Sequence, residues 1–183
     1  QIQNVVNKTI ETYGGIDVLV NNASAISLTG TEQTETKRFD PMHSINVRGT
    51  FLVTKTCIPH LKRSSNPHIL PLAPPPNLDP KWWGPHTGYT LAKMGMSLVT
   101  LGLAEEFKGR VAVNALWPKT VIATDAINMI PGVELSACRK PDIVADAAVA
   151  ILQQAFTAAS GHFYIDETVL AETGIRDFDA YAV

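Results

Sequence analysis

Tyr89 and Lys93 stand four residues apart in Gly-Tyr-Thr-Leu-Ala-Lys, a spacing that puts both side chains on one face of a helix and an ammonium beside a phenol. A free tyrosine ionises near pH 10, so bringing it to working pH takes roughly three units, about 4 kcal/mol of preferential stabilisation of the phenolate. A cation held in a low-dielectric cleft supplies much of that. A phenol so tuned exchanges a proton with a carbonyl or alcohol oxygen while a nicotinamide exchanges the hydride. By itself the pair also fits a packed tyrosine beside a snorkelling lysine. An ordered set of polar residues accompanies it: Asn21-Asn22-Ala23-Ser24 and Asn46 upstream, Trp117-Pro118-Lys119-Thr120 downstream.

The elements that must position these residues are legible in outline. Ile2, Val5, Val6 and Ile10 recur at helical spacing until Gly14-Gly15, where a left-handed cap fits. Ile16 to Val20 is a short apolar run suited to a buried parallel strand that delivers Asn21 and Asn22. A helix is expected from Pro41 to Leu61, capped by Asp40 and kinked by Pro59. His68 to Leu72 reads as a second strand, although Pro71 lacks an amide donor. Ala73 to Pro85 should be a stiff, polyproline-like loop rather than a helix. The helix of the pair should run from Gly88 to Phe107, end at Gly109 and be buried on more than one side. A third strand is expected over Val111–Leu116, a helix over Pro141–Gln154 and a fourth strand over Gly161–Ile165. Asp166-Glu167 after it reads as a solvated strand end rather than a catalytic dyad. Alternating strands and helices predict an α/β fold with a mostly parallel sheet.

Composition removes several classes of function. The 183 residues are 45% apolar and 17% charged, ordinary for a globular domain with a real core. A net charge of −2 offers no field for nucleic acid. No apolar run approaches the ~20 residues of a membrane span. Two cysteines without CxxC spacing suggest neither a disulfide framework nor zinc, and the five scattered histidines suggest no metal site.

In its ordered motifs the chain resembles the short-chain dehydrogenase/reductase family over essentially its whole length, from the family's fourth strand onward. The resemblance rests on Asn21-Asn22-Ala23 ending a strand, Asn46 in the next helix, Tyr89 and Lys93 in the following one, and Trp117-Pro118-Lys119-Thr120 after a third strand. It implies a partial Rossmann-type, doubly wound parallel sheet within a single domain of residues 1–183, truncated at its N-terminus. It further implies hydride transfer between NADP or NAD, with NADP favoured, and a small carbonyl or alcohol substrate of lipid-like kind. Tyr89 would be the acid/base. Lys93 would lower its pKa and bond the nicotinamide ribose, and Asn46 would hold a relay water. Asn21, Asn22, Ala23 and Ser24 would line the adenine-ribose side, and Pro118, Lys119, Thr120 and Thr124 would flank the nicotinamide and pyrophosphate. A peroxisomal or mitochondrial setting and a homo-oligomer through the Asn46 and Tyr89 helices are also implied.

Several positions depart from that pattern. Ala73 stands where the family's catalytic serine is expected, and Asn77, an amide in the same loop, is the expected substitute donor. Ser24, Pro71 and Lys119 are likewise atypical. Trp82 and Trp83 either roof a lipid-like substrate or anchor the proline loop by packing. Gly95 and Gly102 lie within ~20° on one helix face, serving either close packing within the chain or a dimer. The glycine-rich turn that grips the pyrophosphate does not occur in this sequence, so an open sheet edge, aggregation and weak cofactor binding are expected of the isolated chain. The competing reading is a non-catalytic binding or dimerisation module.

Overall fold

A computed structural model describes residues 1–130 and 132–183. Helix α1 (Ile2–Tyr13) ends where predicted, with Gly14 in the left-handed region at φ 81° and its amide on the Ile10 carbonyl. Strand β1 (Val18–Asn21) pairs in parallel with β2 (His68–Pro71), which pairs in parallel with β3 (Ala112–Val113). A second parallel pair, β4 (Ala115–Trp117) with β5 (Phe163–Ile165), is joined to the first through a Leu72–Leu116 bridge. The carboxyl ends of β1, β2, β4 and β5 therefore lie along one rim.

Neighbouring residues of β2 show that the sheet is covered twice, because successive side chains of a strand point to opposite faces. Ile69 packs with Val6 of α1, with Ile58 and Leu61 of α3 (Thr50–Leu61), and with Leu103 of α4 (Thr87–Glu106). Leu70 packs with Ile143 and Ile151 of α5 (Asp142–Leu152) and with Val169 and Leu170 of α6 (Asp166–Glu172). The fold is thus the expected mixed α/β architecture with parallel strands between two helical layers. β1, expected to be buried, is the outer strand of the described sheet, so Val18 and Val20 are exposed along it.

Four expectations need correction. The predicted single helix Pro41–Leu61 is three segments: α2 (Thr36–His43), a π-helical stretch Ser44–Gly49, and α3. Helix begins before Pro41 because Phe39 and Met42 must reach α4, where a Cβ on Gly88 would come within 3.4 Å and 3.6 Å of them. The stretch from Pro41 then widens, since proline gives no amide to the turn before it. The predicted strand Val111–Leu116 is divided at Asn114, where the chain passes from β2 to β5; its side chain ties it to the segment before β5, Oδ1 accepting from His162 N at 2.9 Å and Nδ2 donating to Ala159 O at 3.0 Å. Two tight turns, Pro80–Trp82 and Gly84–His86, interrupt the loop expected to be extended. Finally, Asp166 is not a solvated strand end; it is wholly buried and starts α6, an element the sequence reading omits.

Pro71 is tolerated because it is the last residue of β2, and the next amide, Leu72 N, resumes the ladder on Asn21 O at 3.1 Å. Among the described residues no helix is long and apolar enough to cross a membrane, and no group of three His, Cys, Asp or Glu could hold a metal.

Candidate functional site

Two adjoining cavities, about 480 Å³ and about 460 Å³, open at the strand rim and share three wall residues, Tyr89, Lys93 and Trp117. In parallel α/β sheets the crevice beyond the strand carboxyl ends is where the connecting loops converge. Asn22 and Ser24 leave β1, Leu72 leaves β2, and Pro118 to Thr124 leave β4; all of these stretches line the first cavity. The second lies under the proline loop, with Leu28, Pro74 to Asn77, Trp82 and Met94 in its wall and His86, Tyr89 and Thr90 at the start of α4.

Lys93 is the most constrained charge in the site. It is 6% exposed, its Nζ donates to Leu72 O at 3.1 Å, and the Trp117 ring centroid lies 5.4 Å from the ammonium. No described carboxylate pairs with it. Burial accordingly pulls its pKa down to about 8, while a carbonyl and an aromatic face retain the cation. Burial pushes Tyr89 up to about 12, the reverse of the lowering expected from its lysine neighbour. Desolvation of the phenolate is the cause, and Lys93 is turned toward Leu72 and Trp117.

The other residues singled out by sequence divide between cavity wall and scaffold. Asn22, Ser24, Pro118, Lys119, Thr120 and Thr124 line the first cavity. Asn21 does not: its Nδ2 donates to Thr54 Oγ1 at 3.1 Å, fixing β1 to α3. Ala23 lines neither cavity. Asn46 is fully buried in the π-helical stretch and clamps Ala25 from both sides, accepting from Ala25 N at 2.8 Å and donating to Ala25 O at 3.0 Å. The π-helix turns Asn46 toward the loop after β1. Asn77 and Trp82 line the second cavity, whereas Trp83 does not; its Nε1 donates to Asn77 O at 3.0 Å and pins the loop. Asn77 is also bound to its own loop, with Oδ1 accepting from Asp79 N. Ala73 is buried against Met96 and Ala115, away from both cavities.

Three participants escaped the sequence reading. Trp117, whose motif gives it no role, contacts the lysine and lines both cavities. Asp166 accepts from Lys119 N at 3.0 Å and Glu167 N at 2.7 Å, so the loop after β4 is anchored from the end of β5. Lys119 Nζ adds an ion pair to Glu167 at 2.7 Å. An acid at a strand end before an apolar helical run was a legible signal for this anchor. His86, third of the three, carried none.

Known proteins resemble this chain in sequence and in fold. The family model described as short chain dehydrogenase matches residues 1–131. A protein of Danio rerio named hydroxysteroid dehydrogenase-like protein 2 is 58% identical over 184 residues, covering 100% of this chain and 44% of the relative. The chain therefore spans less than half the length of that relative. A candidate dehydrogenase from Xanthomonas campestris superposes with TM-score 0.97 at 61% identity, covering 100% of this chain and 67% of that one. A short chain dehydrogenase from Mycobacterium thermoresistibile superposes with TM-score 0.91 at 46% identity, covering 99% and 65%.

Proposed function

The chain belongs to the short-chain dehydrogenase family, and from that premise we propose that it is part of an oxidoreductase that reduces a carbonyl on an apolar substrate with NADPH or NADH. The observation that carries this reading is the position of Tyr89 and Lys93 in the wall common to the two cavities. One cavity can then hold the cofactor and the other the substrate, with the proton donor between them.

The first cavity fits a nicotinamide dinucleotide in its donor set. Asn22, Ser24, Thr120 and Thr124 offer amide and hydroxyl groups, and Lys93 donates to Leu72 O and to Met96 Sδ, leaving a further N–H for a ribose hydroxyl. When bound, such a cofactor supplies the hydride. Tyr89 Oη delivers the matching proton to the carbonyl oxygen and is left as a phenolate beside the Lys93 ammonium. A phenol pushed up to about 12 is protonated at neutral pH, and a lysine at about 8 is mostly charged there. Both states suit reduction better than alcohol oxidation. Asn46 serves by position, holding Ala25 and with it the Asn22–Ser24 wall.

The test is carbonyl reduction by the purified chain with NADPH and with NADH, alongside Tyr89→Phe. Loss of the proton donor should lower kcat by about 10²- to 10⁴-fold with cofactor affinity unchanged. An unchanged kcat sinks the acid role. Exposed Leu91, Leu98 and Leu101 on α4, with Ile45 of the π-helical stretch and Phe51 of α3, favour a homo-oligomer through these helices; sedimentation at graded concentration reads that directly.

A further inference from the structure

His86 and Tyr89 are three residues apart at the start of α4 and both line the second cavity. Most of that wall is apolar, from Leu28, the prolines 74–76, Trp82, Met94 and Trp117. Its polar groups are mostly committed: Thr90 Oγ1 donates to Trp82 O at 2.9 Å, Lys93 Nζ to Leu72 O, and Asn77 Oδ1 accepts within its own loop. His86 differs. Its imidazole makes no hydrogen bond among the described residues; Nδ1 is sealed from solvent, and so from any ligand, which leaves Nε2 as the nitrogen that can meet one. His43 also carries an unpartnered nitrogen, but its other nitrogen is bound to Phe39 O and it lines neither cavity.

A histidine left without a partner in a mostly apolar wall is the pattern of a group that orients a ligand. We infer that His86 is a second polar subsite, binding a hydroxyl, keto or carboxyl oxygen placed along the apolar body of the substrate whose carbonyl meets Tyr89. The preferred substrates are then bifunctional, such as hydroxyketones, diketones or oxo acids, rather than simple hydrocarbon ketones. This rests on the carbonyl-reductase reading of the same site. A site built to hydrogen-bond an oxygen rejects the analogue lacking it, because its own polar group is then left unpaired.

The experiment separates the subsite from the chemistry by reading binding. Heptyl methyl ketone and its hydroxy-, oxo- and carboxy-substituted analogues are titrated into the purified chain, and quenching of Trp82 and Trp117 fluorescence reports occupancy. At least one oxygenated analogue should bind about tenfold or more tighter than the plain ketone. His86→Phe should erase most of that preference and His86→Gln should keep part of it, with thermal melts confirming that both variants are folded. No preference in the unaltered protein, or a preference that survives His86→Phe, overturns the subsite. If the preference follows His86 but Tyr89→Phe leaves reduction intact, the acid role of Tyr89 fails and the subsite stands.

Discussion

Lys93 donates from Nζ to the main-chain oxygen of Leu72 at 3.1 Å, so the buried cation of α4 is held by the end of β2 rather than by an acid. A backbone carbonyl cannot titrate away or be removed by substitution. It fixes the ammonium in the wall between two cavities, yet it offsets only part of the cost of burial.

That cost predicts a pH-dependent gain on replacing the lysine. Folded Lys93 loses its proton at about 8 and the unfolded residue near 10.5, so between these values the unfolded chain binds more protons and the residue's penalty shrinks as pH rises. Lys93→Met should therefore stabilise the fold at pH 7 by about 1–3 kcal/mol, with the gain fading above pH 8 and gone near pH 10.5. Tyr89 acts in the opposite sense: its raised value makes stability fall as pH climbs from 10 toward 12, in both proteins alike. Urea unfolding at neutral and alkaline pH measures the difference, and a constant gain across that range would contradict the burial argument.

Gly95 permits the contact between α4 and the π-helical stretch. A Cβ there would lie 2.5 Å from Val47 Cγ2, whereas one on Gly102 would meet nothing within 4 Å. Gly95→Ala should cost about 1–3 kcal/mol, with much of the loss recovered in the Gly95→Ala, Val47→Ala double variant. Gly102→Ala should be neutral or gain up to about 1 kcal/mol. Equal effects at the two glycines would show that the approach to Val47 is not what Gly95 provides.

The Asp166 carboxylate ties the loop after β4 to the start of α6. Asp166→Ala removes the acceptor of two backbone amides and should cost about 2–4 kcal/mol, while Asp166→Asn, which keeps an oxygen, should cost about half as much or less. Hydrogen exchange at the Lys119 amide should speed up in the alanine variant. Unaltered exchange there would remove the anchor.

Asn46 and Ala25 form a closed pair of hydrogen bonds across the rim. Asn46→Ala leaves two backbone groups without that partner and should destabilise the chain by about 2–3 kcal/mol. Because Ala25 follows the Asn22–Ser24 wall, cofactor KM should rise more than kcat falls. A pure kcat effect would instead place Asn46 in the proton path.

The local grammar of the chain determined much of this protein. The glycine cap after α1, the apolar run into Asn21, the long helix that carries Tyr89 and Lys93 and the alternation of strand and helix all follow from residues close in sequence. So did the helical spacing that set Tyr89 and Lys93 together. Tertiary structure decided what those residues face. Which carbonyl holds Lys93, which backbone Asn46 clamps, and why the helix starts before Pro41 depend on contacts between segments 20 or more residues apart. The direction of the Tyr89 shift belongs to the same class, since desolvation is a property of everything packed around a group and not of its neighbours in the chain. His86 marks the limit most clearly: a lone histidine after a proline loop has no periodicity to read, and only the folded wall around it shows an uncommitted imidazole in a mostly apolar cavity.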